Sequence, residues 1–195
     1  MTPSALDVIR DEHHALAGML TALRHLARDL RDRGGEPDFA LLRAILFYIH
    51  AFPERLHHPK ESELLFPAIR RRDPTLTAVL DRLDADHDRG EHAVHALVMQ
   101  LLEYEQLGER CRDAFVASVE QFVERYLEHM AVEERDVLPR ARALLERDDW
   151  RAIDAAFAEN RDPLTGHTPS EAYKALFGRI VRLVPAPLGL GPARD

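Results

Sequence analysis

Apolar residues recur at alternating steps of three and four along most of the chain, and no segment shows a sustained apolar–polar alternation with a period of two. Steps of three and four place side chains on one face of an α-helix, so the sequence predicts an all-α protein. Prolines, glycines and capping residues divide the pattern into four long helices. We expect these helices at about residues 3–32, 38–72, 74–106 and 109–146.

The connections between the predicted helices are only a few residues long, which favours antiparallel neighbours. We therefore expect residues 1–146 to form an up-down-up-down four-helix bundle around a central apolar seam. Residues 147–195 differ in composition and predict a short helical C-terminal extension with a Pro/Gly-rich tail. The extension should contain two short helices, the second over residues 170–184, packed on the bundle or on another subunit.

Histidine and glutamate occupy inward positions at a comparable depth in all four predicted helices. His13 and His87 stand among leucines on the stripes of the first and third helices, and the fourth helix carries His129 and Glu133. Residues four apart on a helix face nearly the same way, so one histidine and one glutamate can reach a shared site. In the second helix the inward stripe is expected to consist of Phe47, His50, Glu54, His57, Glu61 and Leu64.

The second and fourth helices carry two copies of one motif, which indicates an internal duplication of a helical pair. A single His-x-x-x-Glu unit on a helix would be a weak signal, whereas two units in register form a specific one. The recurring residues, with identical internal spacing, are His57, Glu61 and Pro67 in one copy and His129, Glu133 and Pro139 in the other.

Two carboxylates and several imidazoles in an apolar interior need compensation. Unpartnered, they would cost several kcal/mol each, against a total stability of about 5–15 kcal/mol for a domain. Cations supply that compensation, with neutral imidazoles as ligands and carboxylates that can bridge two ions. This mixed donor set suits iron, manganese or zinc and lacks the thiolates that copper(I) and iron–sulfur clusters prefer. Two carboxylates favour an oxo- or hydroxo-bridged dinuclear centre.

Four motifs together resemble the hemerythrin-like, or HHE cation-binding, family, over about residues 4–146. The resemblance implies a centre of two non-haem iron ions inside a four-helix bundle, with zinc and manganese as alternatives. It also implies a protein that binds O2, NO or peroxide, or that takes part in iron and redox sensing. The motifs are Asp11-Glu12-His13-His14, His57-His58-Pro-Lys-Glu61, Asp86-His87-Asp-Arg-Gly90 and His129-Met-Ala-Val-Glu133.

The resemblance also implies a ligand set. Oxygen-carrying hemerythrins have five histidines and two carboxylates, with two of the histidines four apart on the third helix, but here Glu91 stands four residues after His87. His58 can supply the fifth nitrogen, as in some family members, and water or Glu91 is the alternative. His50 and Glu54 either orient ligands or form a hydrogen-bonded core pair. The predicted metal ligands are His13, His57, His58, Glu61, His87, His129 and Glu133.

Three functions remain compatible with these patterns. The first is a metal-binding protein that binds or senses O2, NO or peroxide. The second is a di-iron enzyme that consumes peroxide or NO, which we rank lower because no acid–base pair separate from the metal ligands is evident, and no catalytic residue is predicted. The third is an iron-homeostasis or regulatory protein whose C-terminal extension contacts a partner.

Composition indicates which partners and which cellular compartment to expect. The 26 Lys and Arg against 34 Asp and Glu give a net charge of −8, which disfavours nucleic acid as a partner. No run approaches the roughly 18 apolar residues of a membrane-spanning helix. A single cysteine, Cys111, cannot form an internal disulfide, so we expect a reducing compartment, the cytoplasm. Amphipathic segments in the extension predict a homodimer as one option.

Overall fold

The computed structural model describes residues 4–33, 36–167, 174 and 178, and within them it contains helices and short connections but no β-strand. Helix α1 spans Ala5–Arg33, α2 covers residues 39–72, α3 spans Thr77–Leu107, α4 covers residues 112–144 and α5 spans Arg147–Phe157. The predicted all-α class is confirmed. Single 3-10 turns occur at Pro74–Leu76, Glu109–Cys111 and Pro163–Thr165.

Local side-chain chemistry explains where the long helices begin and end. The Asp38 carboxylate accepts a hydrogen bond from the backbone N–H of Leu41 at 2.8 Å, which caps the N-terminus of α2. Asp73 caps the turn before α3 in the same way. Gly108 ends α3 with a φ of 79°, a conformation that glycine adopts without strain. These boundaries lie within a few residues of those predicted from the sequence.

The four long helices enclose one central seam. Helix α1 packs against α2 and α4, and α3 packs against the same two helices. Two apolar clusters fill the seam, and the histidine and glutamate motifs lie between them. The first cluster includes Leu20, Ile45, Leu97 and Val119, and the second includes Ile9, Ile69, Leu80 and Val137.

The order of these clusters along the chain gives the helix directions. Helices α1 and α3 run from the second cluster to the first, whereas α2 and α4 run from the first to the second. The predicted up-down-up-down arrangement is therefore confirmed. Among the described residues, no helix has both the length and the apolar composition needed to cross a membrane.

Helix α5 packs on the bundle of its own chain. Ile153 and Phe157 are fully buried in the second apolar cluster. The Asp154 carboxylate accepts a hydrogen bond from the backbone N–H of Ala5 at 2.7 Å, which joins α5 to the start of α1. The second predicted helix, 170–184, lies outside the described residues except for Lys174 and Gly178. The division of the chain near residue 146 stays a prediction.

Wide π-helical turns interrupt α2 and α4 at the polar layer. They occur at His50–His57, Glu61–Leu65 and Glu133–Val137. Proline lacks a backbone N–H and its ring clashes with the carbonyl four residues earlier, so a wider turn accommodates it. Pro53 lies inside the first wide turn, and Pro67 and Pro139 follow the other two by two residues. The sequence repeat therefore places the same distortion next to both glutamates.

The first wide turn changes the register of α2, and the predicted inward position of Phe47 is wrong. Its side chain is 45% exposed, whereas the neighbouring Tyr48 and Ile49 are fully buried. A π turn contains an extra residue and rotates the helix that precedes it. A stripe extended backwards from His57 in steps of three and four therefore reaches the wrong face.

A pair of alanine substitutions tests this register. Ile49→Ala should lower the free energy of unfolding by about 2–5 kcal/mol because it leaves a cavity in the core. Phe47→Ala should lower it by less than about 1.5 kcal/mol, since much of that side chain already contacts solvent. Urea unfolding of both variants gives the two values, and equal losses would contradict the observed register.

Candidate metal centre

The seven residues predicted as ligands lie together in the polar layer at the middle of the bundle. Each is buried, with at most 7% of its surface exposed. All four long helices contribute: His13 from α1; His57, His58 and Glu61 from α2; His87 from α3; His129 and Glu133 from α4.

Glu133 lies at the centre of the layer and faces imidazoles on both sides. Its Oε2 atom is 3.3 Å from Nε2 of His13, and its Oε1 atom is 3.2 Å from Nε2 of His129. The carboxylate therefore lies between histidines of α1 and α4. This is the geometry expected of a carboxylate that bridges two cations.

Glu61 has the equivalent position on α2. Its Oε2 atom is 3.3 Å from Nε2 of His57 and 3.5 Å from Nε2 of His87. The two carboxylates thus separate the imidazoles into two groups. Within each group, the donor atoms lie within 4.8 Å of one another. We call these groups the two-histidine end, His13 and His57 with Glu61, and the three-histidine end, His58, His87 and His129.

The carboxylates have no hydrogen-bonding partners of their own. All four oxygens of Glu61 and Glu133 are buried, and none accepts a hydrogen bond from a described residue. Nε2 of His57 is likewise buried and unpartnered. Imidazole nitrogens lie 3.2–3.5 Å away, at ion-pair distance, but a buried carboxylate that accepts no hydrogen bond is still strongly unfavourable. Cations between the two ends would satisfy these atoms, so the residues present fit a metal pair.

The outward nitrogens of the imidazoles are held by oxygen atoms. When an oxygen accepts the Nδ1–H of a histidine, the lone pair of Nε2 is available to a metal. His129 is the exception, since the nearest carboxylate oxygen, on Asp86, is 3.8 Å from its Nδ1. At distances of 2.6–3.1 Å, the partners are Glu134 for His13, Glu12 for His57, Glu54 for His58 and Ser62 for His87.

Protons and cations compete for this cluster. Burial lowers the pKa of His13, but the adjacent carboxylates of Glu133 and Glu134 together outweigh it and raise the pKa to about 9. Burial and the neighbouring imidazoles instead hold the pKa of His58 well below its usual value. In the metal-free protein at neutral pH, His58 is therefore neutral, whereas His13 carries a proton that a bound cation would displace.

The two residues considered for the fifth ligand position, His58 and Glu91, lie in different surroundings. Glu91 is exposed on α3, away from the buried cluster. His58 stacks on His87 with 4.1 Å between ring centroids and belongs to the three-histidine end. His50 and Glu54, for which the sequence left the same two roles open, also differ in their contacts. Glu54 contacts His58, whereas the ring of His50 pairs with that of His95, at 5.0 Å.

Glu12 and Asn160 support the two-histidine end and were missed by the sequence analysis. Oε2 of Glu12 receives hydrogen bonds from His57, at 2.6 Å, and from the side-chain amide of Asn160, at 3.1 Å. Lys60 donates to the Asn160 carbonyl. Glu12 could have been suspected from its position next to His13. Helical periodicity gives no signal for Asn160, because it follows α5 in a turn.

The segment after α5 covers the two-histidine end. Asp162 is buried and accepts hydrogen bonds from the Tyr48 hydroxyl, at 2.7 Å, and from the backbone N–H of Leu164, at 2.8 Å. The ring of Phe157 lies edge-on to that of His57, with 5.8 Å between centroids. The C-terminal segment is therefore part of the wall of the polar layer.

The two ends differ in the size of the cavity beside them. A cavity of about 190 Å³ opens between α3 and α4 at the three-histidine end. The cavity beside the two-histidine end measures only about 10 Å³. Apolar side chains of Leu16, Phe52 and Met130 line the small cavity, whereas Tyr126 and Arg125 line the larger one.

Asp162 gives a pH prediction. Burial raises its pKa from the ordinary value of 3.8 to about 6. Because the folded state binds this proton more tightly than the unfolded state does, the proton adds to the free energy of unfolding. This contribution is complete below pH 3.8 and is lost as the pH rises through about 6. In Asp162→Asn the amide oxygen still accepts from the backbone N–H of Leu164, the amide nitrogen can donate to the Tyr48 hydroxyl, and the side chain no longer titrates. The stability of the variant relative to wild type should therefore rise by on the order of 1 kcal/mol between pH 5 and pH 8.

Urea unfolding of both metal-free proteins at the two pH values measures this difference, and it cancels the titration of the histidines that both chains share. A difference that stays constant, or that falls with pH, would contradict the buried, shifted carboxyl at position 162.

Comparison with known proteins agrees with the geometry. A family model described as the hemerythrin HHE cation binding domain matches residues 4–141. A search of curated proteins gave no significant match. The matched segment contains all seven predicted ligands and ends before α5. The chain therefore belongs to the hemerythrin HHE cation-binding domain family.

Proposed function

We propose that this protein holds two non-haem iron ions between its four helices and binds O2, NO or peroxide reversibly, as a carrier or a sensor. The observation that carries the proposal is the set of four unpartnered carboxylate oxygens of Glu61 and Glu133. Five imidazoles surround them. Together these donors exceed the six positions of an octahedral ion, so the set suits two ions rather than one.

The donor chemistry favours iron. Imidazole and carboxylate suit iron, manganese and zinc, and the set contains no thiolate. Carboxylates that face both ends suit a bridged pair. When bound, iron would supply a redox-active position that can take up a small ligand such as O2 or NO.

The protein's own residues would tune such a centre. The apolar clusters above and below the polar layer keep bulk water out, and the Nδ1 partners hold the imidazoles in place. The two-histidine end has one imidazole fewer, which leaves room for an external ligand. The small cavity beside it has about the volume of one water molecule, so a bound ligand there must be very small.

Metal content and absorption test the proposal. Wild-type protein loaded with ferrous iron and exposed to air should contain two irons per chain and show the absorption bands of a ferric di-iron centre. Glu61→Ala and Glu133→Ala should each lose at least one ion, because each removes a carboxylate shared by both ends. His14→Ala is the matched control, since His14 is exposed beside His13. A colourless wild-type protein with stoichiometric zinc would contradict the assignment.

Metal removal should lower thermal stability. An ion that binds only the folded state adds RT ln(1 + [L]/Kd), about 4 kcal/mol at a thousandfold excess over Kd. We therefore expect a chelator to lower the Tm of the loaded wild type. The Glu61→Ala/Glu133→Ala double variant should show no such shift. An unchanged wild-type Tm after verified loss of metal would argue against a structural coupling of the ions to the bundle.

The larger cavity favours a second candidate function, peroxide consumption. It gives water and hydrogen peroxide a route to the three-histidine end. Hydrogen peroxide turnover by loaded protein should then exceed that of the same amount of free iron. His87→Ala, which removes an imidazole of the three-histidine end, should abolish the excess. A wild-type rate equal to that of free iron would exclude this activity.

A further inference from the structure

Glu54 is a buried carboxylate on α2 that lies outside the central pair. It is one helical turn before His58 on α2, and its Oε2 atom is 3.1 Å from Nδ1 of His58. Its Oε1 atom accepts a hydrogen bond from the hydroxyl of Tyr126 on α4. Unlike Glu61 and Glu133, Glu54 therefore has a protein partner for each oxygen.

Gly90 makes room for this carboxylate. A Cβ atom at position 90 would lie 2.8 Å from Oε1 of Glu54, closer than Cβ contacts allow, and 3.4 Å from Oε2. Glycine in a helix interior is less favourable than alanine. The close approach of α3 to Glu54 gives a physical reason for this glycine, three residues after His87 in the same helix.

The arrangement determines which nitrogen of His58 faces the centre. Burial raises the pKa of Glu54, and the hydrogen bond from Tyr126 opposes that rise. In its ionised form the carboxylate only accepts hydrogen bonds, which retains the proton on Nδ1 of His58 and leaves the Nε2 lone pair free. Glu54 is the sole hydrogen-bond partner of that Nδ1 among the described residues. His58 matters because α3 carries the exposed Glu91, rather than a second buried histidine, one turn after His87.

We propose that Glu54, seated by Gly90 and Tyr126, is the positioning residue that holds His58 in its Nδ1-protonated tautomer, with Nε2 directed to the three-histidine end. The tautomer can be measured without metal. The effect of Glu54 on metal affinity, in contrast, rests on the proposed function. The two readouts therefore separate failure of this inference from failure of the proposed iron centre.

Nitrogen-15 NMR of metal-free protein at a fixed neutral pH tests the tautomer. Wild-type His58 should show a protonated Nδ1 and an unprotonated Nε2. Glu54→Ala should lose this preference. Glu54→Gln should restore it, because the amide oxygen can accept from Nδ1–H while the amide nitrogen donates to Tyr126. Preservation of the wild-type tautomer in Glu54→Ala would overturn the proposal.

Gly90→Ala separates positioning from folding. The added methyl should displace Glu54. The affinity for the ion at the three-histidine end should then fall by about 10–100-fold, the usual effect of losing a residue that hydrogen-bonds to a metal ligand. The Tm of the metal-free variant should stay equal or rise, because alanine favours the helix. Gly18→Ala in α1 is the matched control, since its Cβ would meet no atom within 4 Å.

The Gly18→Ala control should match wild type in metal affinity, which is measured by competition with a chelator of known affinity. Wild-type affinity in Gly90→Ala would overturn the proposed seating. If Gly90→Ala does not fold, Glu54→Ala and its Glu54→Gln rescue provide the same affinity comparison. If wild type binds no iron but the tautomer results hold, the proposed function fails and the role of Glu54 stands.

Discussion

Two carboxylates without hydrogen-bond partners, buried where four helices meet, are the constraint on which the rest of the structure depends. Glu61 and Glu133 interrupt what would otherwise be one continuous apolar core and divide it into two clusters. Such groups destabilise a bundle unless positive charge compensates them. In the metal-free protein, protons on neighbouring imidazoles provide part of that charge, and bound cations would provide it fully.

The surroundings of the carboxylates differ at the two ends, and this difference connects the fold to the proposed function. The two-histidine end is covered by Phe157 and braced through Asn160, both beyond the part of the chain that the family model matches. The three-histidine end faces a solvent-accessible cavity and is braced by Glu54. One duplicated helical motif thus produces one end beside a small cavity and one end beside a large cavity.

Most of the fold and the ligand cluster could be predicted from the sequence, because regular α-helices preserve periodicity. The inward positions of His13, His87 and Glu133 followed directly from it. The position of Phe47 was predicted wrongly, because a wide turn between Phe47 and His57 shifts the register of the helix. Steps of three and four residues describe a regular α-helix and do not include such a turn. The brace from Asn160 depends on tertiary packing of a turn, which leaves no periodic signal.

Anomalous X-ray scattering at the iron edge, from crystals of protein loaded with ferrous iron, tests the central claim most directly. We expect two peaks about 3.5–4 Å apart, one beside His13 and His57 and the other beside His87 and His129, with Glu61 and Glu133 between them. A single peak, peaks on the surface, or carboxylates that point away from the ions would contradict that claim.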